Sequence, residues 1–285
     1  MMTLINGHQV AYTDEGKGPP LVFVHGFPLN RSCWSKQVEC FKSRNRVIAL
    51  DLPGFGASEA ERGPATMNHF AEGIFTLCQY LQTGPIVLVG HSMGGYIALA
   101  FAQAYPVFLR GLVLVGTRAG RDEPEVASAR RMRARAVQQA GIGSVVTDMA
   151  PKMLSAINTD LDMARQVRDT MASSSSEGVV SALLGMADRP DRRAQLASIQ
   201  VPTLVVAGAD DTLIPMRESV DMAETIPEAR LVVIPKAGHL VAYEQPGPFN
   251  EALASWLDSS PRGRQIFPLV RQDSQLRTVP EGVTP

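Results

Sequence analysis

Short apolar runs that are hydrophobic on both faces recur along this chain, separated by stretches of helical spacing. Leu21-Val22-Phe23-Val24, Arg46-Val47-Ile48-Ala49-Leu50, Ile86-Val87-Leu88-Val89 and Leu112-Val113-Leu114-Val115 are four such runs in the first half. Trp34 to Phe41, Thr66 to Gln82 and Gly94 to Ala104 carry helical periodicity between them. A strand with no polar face must be covered above and below. The alternation therefore predicts an α/β chain with a mostly parallel sheet and helices on both sides.

The rhythm breaks between about Arg121 and Gln200, where no strong strand run occurs and helical patterns rich in Ala, Met, Arg and Ser take over. Ser174 and Glu177 have the spacing of a capping box. Strand runs resume at Thr203-Leu204-Val205-Val206-Ala207 and Leu231-Val232-Val233-Ile234, followed by a helix from about Pro248 to Leu257. The expected organisation is a core formed by 1–120 and 201–258, a helical cap or lid at 121–200, and a C-terminal extension at 259–285. An insert of that size is usually functional. The extension carries an apolar island, Ile266–Val270, and is expected to dock on the body or on a second subunit.

Composition narrows the function. In 285 residues, 27 Lys+Arg balance 28 Asp+Glu and 45% of residues are hydrophobic. That argues against disorder and against a chain built to hold nucleic acid. No window approaches the roughly 18 apolar residues of a membrane span, and the N-terminus has no signal-peptide pattern. Cys33, Cys40 and Cys78 fit neither a disulfide framework nor a zinc pattern, which suits reduced thiols in a cytosolic protein.

Gly90-His91-Ser92-Met93-Gly94 fits G-x-S-x-G. It directly follows one strand run and directly precedes a helix, the context that the motif requires. A serine in so sharp a turn has strained backbone, and small neighbours at positions 90 and 94 relieve the crowding. A serine hydroxyl needs a base, and the base needs an orienting carboxylate. Of five histidines, His8, His25, His69 and His91 fall in a strand, at a strand end, inside a helix and across the turn from Ser92. His239, in Ala237-Gly238-His239-Leu240, lies just past the C-terminal end of a strand, the edge where sites form in parallel sheets. The carboxylate is Asp210 or Asp211, after the strand run that ends at Ala207. The order Ser, Asp, His is that of α/β-hydrolases.

On these residues the chain resembles the α/β-hydrolase superfamily over 1–258. His25-Gly26-Phe27-Pro28 is similar to that family's oxyanion loop, and Asp51-Leu52-Pro53-Gly54-Phe55-Gly56-Ala57-Ser58 to its D-x-x-G-x-G-x-S loop. Gly90–Gly94 resembles its nucleophile elbow, and Gly208-x-x-Asp211-x-x-x-Pro215 with Gly238-His239 its acid and base. The resemblance implies the α/β-hydrolase fold, with about eight strands and a helical lid. It assigns the acid to Asp211 and implies an oxyanion hole from the backbone N–H groups of Phe27 and Met93. His25, Leu213, Ile214 and Leu240 are candidate substrate-pocket residues. No metal or organic cofactor is implied. Gly116-Thr117-Arg118-Ala119-Gly120 resembles single-domain esterases and enol-lactonases.

The expected activity is a serine carboxylesterase acting on a small-molecule ester or lactone, as a monomer or homodimer. An enol-lactonase, a carbon–carbon bond hydrolase and a perhydrolase share the same triad, and a slow-turnover ligand receptor would keep it. Haloalkane dehalogenases and epoxide hydrolases use an aspartate nucleophile, which position 92 excludes. A proline iminopeptidase would need paired lid acids, and Glu177 and Asp188 form no convincing pair. Among Met132, Met149, Met153, Met163, Met171 and Met186, most read as inward faces of the insert's own helices. Arg130, Arg131, Arg133 and Arg135 read as a solvated helix face rather than an anion site.

Overall fold

The computed structural model describes residues 1–61, 63 and 65–259. The extension with Ile266–Val270 lies outside them. The described strands are β1 (Met2–Ile5), β2 (His8–Glu15), β3 (Pro20–Val24), β4 (Arg46–Leu50), β5 (Ile86–His91), β6 (Leu109–Val115), β7 (Thr203–Gly208) and β8 (Arg230–Ile234). They form one sheet in the order β1-β2-β4-β3-β5-β6-β7-β8. β1 pairs antiparallel with β2, and β2 with β4; all later pairs are parallel. Asn6 and Gly7 both take positive φ, 52° and 86°, in the turn that joins β1 to β2. Asn-Gly is the pair that a tight hairpin turn favours.

Helices are α1 (Ser35–Phe41), α2 (Met67–Tyr80), α3 (Met93–Ala104), α4 (Pro124–Ala140), α5 (Gly143–Met149), α6 (Leu161–Ala172), α7 (Ser176–Ala187), α8 (Met216–Thr225), α9 (Val241–Glu244) and α10 (Pro246–Ser259). The strands' two-residue period divides their apolar side chains between two cores. Val22, Val24, Ile48, Leu50 and Leu88 pack with α2 and α3. Leu21, Phe23, Val47, Ala49 and Val89 pack with Trp34 and Phe41 and with Phe249, Leu253 and Trp256 of α10. Each central strand is buried on both faces, as its unbroken apolar run requires.

The chain runs from β3 to β4 on one side and returns to β5 on the other. That reversal opens a crevice at the strands' C-terminal edge. Four helices, α4 to α7, fall between β6 and β7. Val146, Met153, Val167 and Met171 of this insert join Leu29 and Leu240 of the body in a small core of their own. The cap of α7 differs from the expected box. Ser175 is the N-cap residue, accepting from the Gly178 N–H at 3.0 Å. Ser174 instead donates to the Pro28 carbonyl at 3.2 Å, because the turn is anchored on the body. No described helix is long and apolar enough to cross a membrane.

Candidate active site

Ser92 sits between β5 and α3 with φ 53° and ψ −112°, a conformation that non-glycine residues rarely hold. Its N–H donates to the Val115 carbonyl at 2.9 Å, and its carbonyl accepts from Thr117 Oγ1 at 2.8 Å. The neighbouring glycines are steric necessities. A Cβ on Gly90 would collide with the Gly94 backbone, and one on Gly94 with the carbonyl of Val24. The elbow thus presses directly onto the end of β3.

His239 lies beyond β8, and its Nδ1–H donates to Asp211 Oδ2 at 2.8 Å. Both side chains are almost fully buried, at 2% and 4% exposure. Asp211 Oδ1 accepts from the N–H groups of Leu213 (2.8 Å) and Ile214 (3.0 Å). Burial pushes this carboxyl upward. The His239 hydrogen bond and charge, with the two backbone donors, prevail and hold it below the usual carboxylate value. An ionised Asp211 fixes the proton on Nδ1 and leaves Nε2 with its lone pair. Asp210 points elsewhere: its Oδ2 accepts from Ser155 Oγ of the insert at 2.6 Å.

Ser92 and His239 open into one cavity of about 220 Å³. Its apolar wall comes from Phe27, Val126, Met149, Met186, Leu213 and Ile214. Of the four candidate pocket residues, Leu213 and Ile214 line it and the other two do not. His25 is fully buried with both ring nitrogens engaged: Nδ1–H donates to the Gly26 carbonyl at 2.9 Å, and Nε2 accepts from the Leu52 N–H at 3.0 Å. Leu240 turns into the core between insert and body. Phe27 is at the cavity wall, in the turn that Leu29 N–H closes onto the Gly26 carbonyl at 2.9 Å. Met93 opens α3, so its N–H has no acceptor within that helix.

The Asp51 loop is structural. Asp51 Oδ1 accepts from the Arg31 N–H (2.7 Å), Oδ2 accepts from the Ala57 N–H (2.9 Å) and pairs with the Arg31 guanidinium, and Ser58 Oγ donates to the Asp51 carbonyl (2.7 Å). His91, beside Ser92, is buried. Desolvation first, and then the neighbouring His239, push it down to about 3, so it is neutral. Its Nε2–H donates to the His239 carbonyl at 2.9 Å and steadies the His239 loop.

Sequence reasoning missed part of the cavity. Arg118 and Lys152 line it, and so do Arg130 and Arg133 from the run read as a solvated face. Arg131 does face outward, paired with Asp188. Arg118 follows the C-terminal end of β6, and a charge at that edge was the available signal. Met149 and Met186 reach the cavity, while Met153 and Met171 fill the insert's core and Met132 is exposed.

A sequence model of the family described as alpha/beta hydrolase fold matches residues 19–246. The chain belongs to the α/β-hydrolase family. Its structure resembles that of a thermophilic esterase from Thermogutta terrifontis, solved with malate bound, at 42% identity and a TM-score of 0.87; the match covers 90% of this chain and 96% of that one. The chain is 29% identical to 3-oxoadipate enol-lactonase 2 of Acinetobacter baylyi over 82% of this chain and 87% of the relative. It is 26% identical to (E)-2-((N-methylformamido)methylene)succinate hydrolase of the same species, over 91% and 98%. The relatives of this α/β-hydrolase thus include proteins named as an esterase, an enol-lactonase and a hydrolase of a substituted succinate.

Proposed function

We propose that this α/β-hydrolase is a serine esterase that opens small carboxylic esters, cyclic ones included, through an acyl-enzyme. The observation that carries the reading is one constellation: Ser92 in its positive-φ turn shares a cavity with His239, whose Nδ1–H is held by Asp211. His239 Nε2 takes the Ser92 proton as Oγ bonds to the acyl carbon, and the carbonyl π pair moves onto oxygen. The N–H groups of Phe27 and Met93 receive that oxyanion. Collapse expels the alcohol with the proton from Nε2. Water, deprotonated by His239, then releases the acid and restores Ser92. The helical insert acts as a lid that supplies Met149 and Met186 to the wall.

Among the described residues no carboxylate lines the cavity, which supports an ester over a peptide whose free amine needs acids. Glu177 and Asp188 both lie outside it. The test is a panel of p-nitrophenyl esters from acetate to palmitate with γ-lactones beside it. Sustained turnover that is greatest on short chains is expected. One equivalent of product followed by silence would favour a receptor and sink the reading.

A further inference from the structure

The cavity's charge is one-sided. Arg118, Arg130, Arg133 and Lys152 all line it, and among the described residues no acid does. Two of these cations are already matched. Arg130 Nε donates to Asp122 Oδ2 at 2.6 Å, and Arg133 pairs with Asp148 at 2.9 Å. Asp122, the acid nearest the start of the insert, is claimed a second time by Arg189 at 2.8 Å. Asp122 still acts on Arg118 through its charge, as does Glu218, but neither forms an ion pair with it.

Arg118 and Lys152 make no ion pair among the described residues. Lys152 is exposed at the rim. Arg118 is half-buried, its polar neighbour is the Tyr96 hydroxyl, and its Nε is buried with no hydrogen-bond partner. A buried donor without an acceptor is uncommon in a folded chain. Here its position is fixed from two sides. Tyr96, one turn into α3 from Ser92, lies under the Arg189 guanidinium, which stands 4.2 Å from the ring centroid. Thr117, next to Arg118, is bonded to the Ser92 carbonyl. An unpaired guanidinium is thus held beside the nucleophile by residues that also hold the nucleophile.

We propose that Arg118 binds a carboxylate carried by the substrate, with Lys152 closing over it. The substrate class is then half-esters of short dicarboxylic acids and lactones bearing a free carboxylate. The guanidinium fork matches a planar carboxylate with two parallel hydrogen bonds. The apolar wall of Phe27, Leu213 and Met149 takes the carbon spacer. This inference deepens the esterase reading and rests on it for the identity of the reacting serine, but not for the anion site.

Calorimetric titration with glutarate and with its neutral counterpart glutaramide tests the site without turnover. Glutarate is expected to bind at least about tenfold more tightly, with the difference shrinking as salt is added. Arg118→Gln should remove most of that preference and Arg118→Lys should restore part of it. Equal binding of the two ligands by the wild type would overturn the proposal. So would a preference that survives Arg118→Gln in a folded protein. If Arg118→Gln does not fold, Lys152→Gln at the exposed rim carries the same test, with a loss of a few-fold expected. Kinetics separate this from the esterase reading. Hydrolysis of monomethyl glutarate over dimethyl glutarate should fall toward parity in Arg118→Gln, mainly through KM. Hydrolysis that needs Ser92 but shows no such preference sinks the carboxylate site alone. Arg118-dependent glutarate binding, with hydrolysis unaffected by Ser92→Ala, sinks the serine reading alone.

Discussion

Ser92, His239 and Asp211 are 119 and 28 positions apart in pairs that only the fold can join, yet each lies just beyond a strand end. Asp211→Asn should lower kcat by about 10³–10⁴-fold, because the amide can no longer hold the Nδ1–H tautomer. Asp210→Asn should stay within a few-fold of wild type, since that side chain bonds Ser155 and not the base. Steady-state kinetics on p-nitrophenyl acetate rank the two, and the reverse order would move the acid to Asp210. The sharp turn that holds Ser92 between β5 and α3 was legible from its motif and context. The choice between adjacent aspartates was not legible from residues alone, because consecutive side chains in a turn diverge and spacing does not say which turns inward. Arg118 was missed for a related reason: an arginine after a strand reads as surface until its neighbours' commitments are known.

At the scale of elements, the insert is tied to the His239 loop by one buried carboxylate. Glu244 of α9 accepts from the N–H of Gly238 at 2.7 Å, from the N–H of Ser155 at 3.0 Å, and from Asn158 Nδ2 at 2.6 Å. Gly238 precedes His239, so this clamp sets His239 and the insert's inner turn together. Glu244→Gln would turn an amide donor toward other donors. It should cost about 1–3 kcal/mol of stability, read as a lower urea midpoint, and should reduce kcat on neutral esters. A midpoint and kcat equal to wild type would show that the clamp is dispensable. Nothing in the sequence marks Glu244, which sits in a four-residue helix with no motif. The β1–β2 hairpin was legible in principle from Asn6-Gly7 between short apolar segments, whereas the cap of α7 at Ser175 was not, with four serines in a row to choose from.

The whole molecule carries two buried histidines besides His239, and they set its response to acid. Desolvation is the main cause that lowers both His25 and His91, the latter to about 3. In the unfolded chain each takes a proton near its ordinary value of 6.5. Below that pH the unfolded state binds more protons than the folded one, so stability falls on acidification from about pH 6.5 toward 3. The limit is about 1.4 kcal/mol per pH unit for each histidine. Asp211 and Asp122 add to this only lower down. Burial raises both, but His239 and the Arg189 and Arg130 pairs hold them below the usual carboxylate value, and their contribution is lost as pH falls through that range. The urea midpoint should therefore drop between pH 7 and pH 5, and His91→Gln should flatten the drop. A midpoint unchanged over that interval would contradict the assignment of these rings as neutral. The strand–helix alternation and the family's motifs made the fold legible across 1–258, because burial on both faces leaves a parallel sheet little alternative. The cavity was less legible, since its wall is assembled from the segments after β3, β6 and β7 and from α3, α4, α5 and α7, far apart in the chain. The central claim is that Ser92 is the nucleophile activated by His239, and covalent labelling tests it most directly. Treated with an organophosphonate, the protein should gain one adduct, mapped by peptide mass spectrometry to Ser92. Ser92→Ala should take no label and lose about 10⁴-fold or more in ester hydrolysis. An adduct on another residue, or near-wild-type hydrolysis by Ser92→Ala, would contradict it.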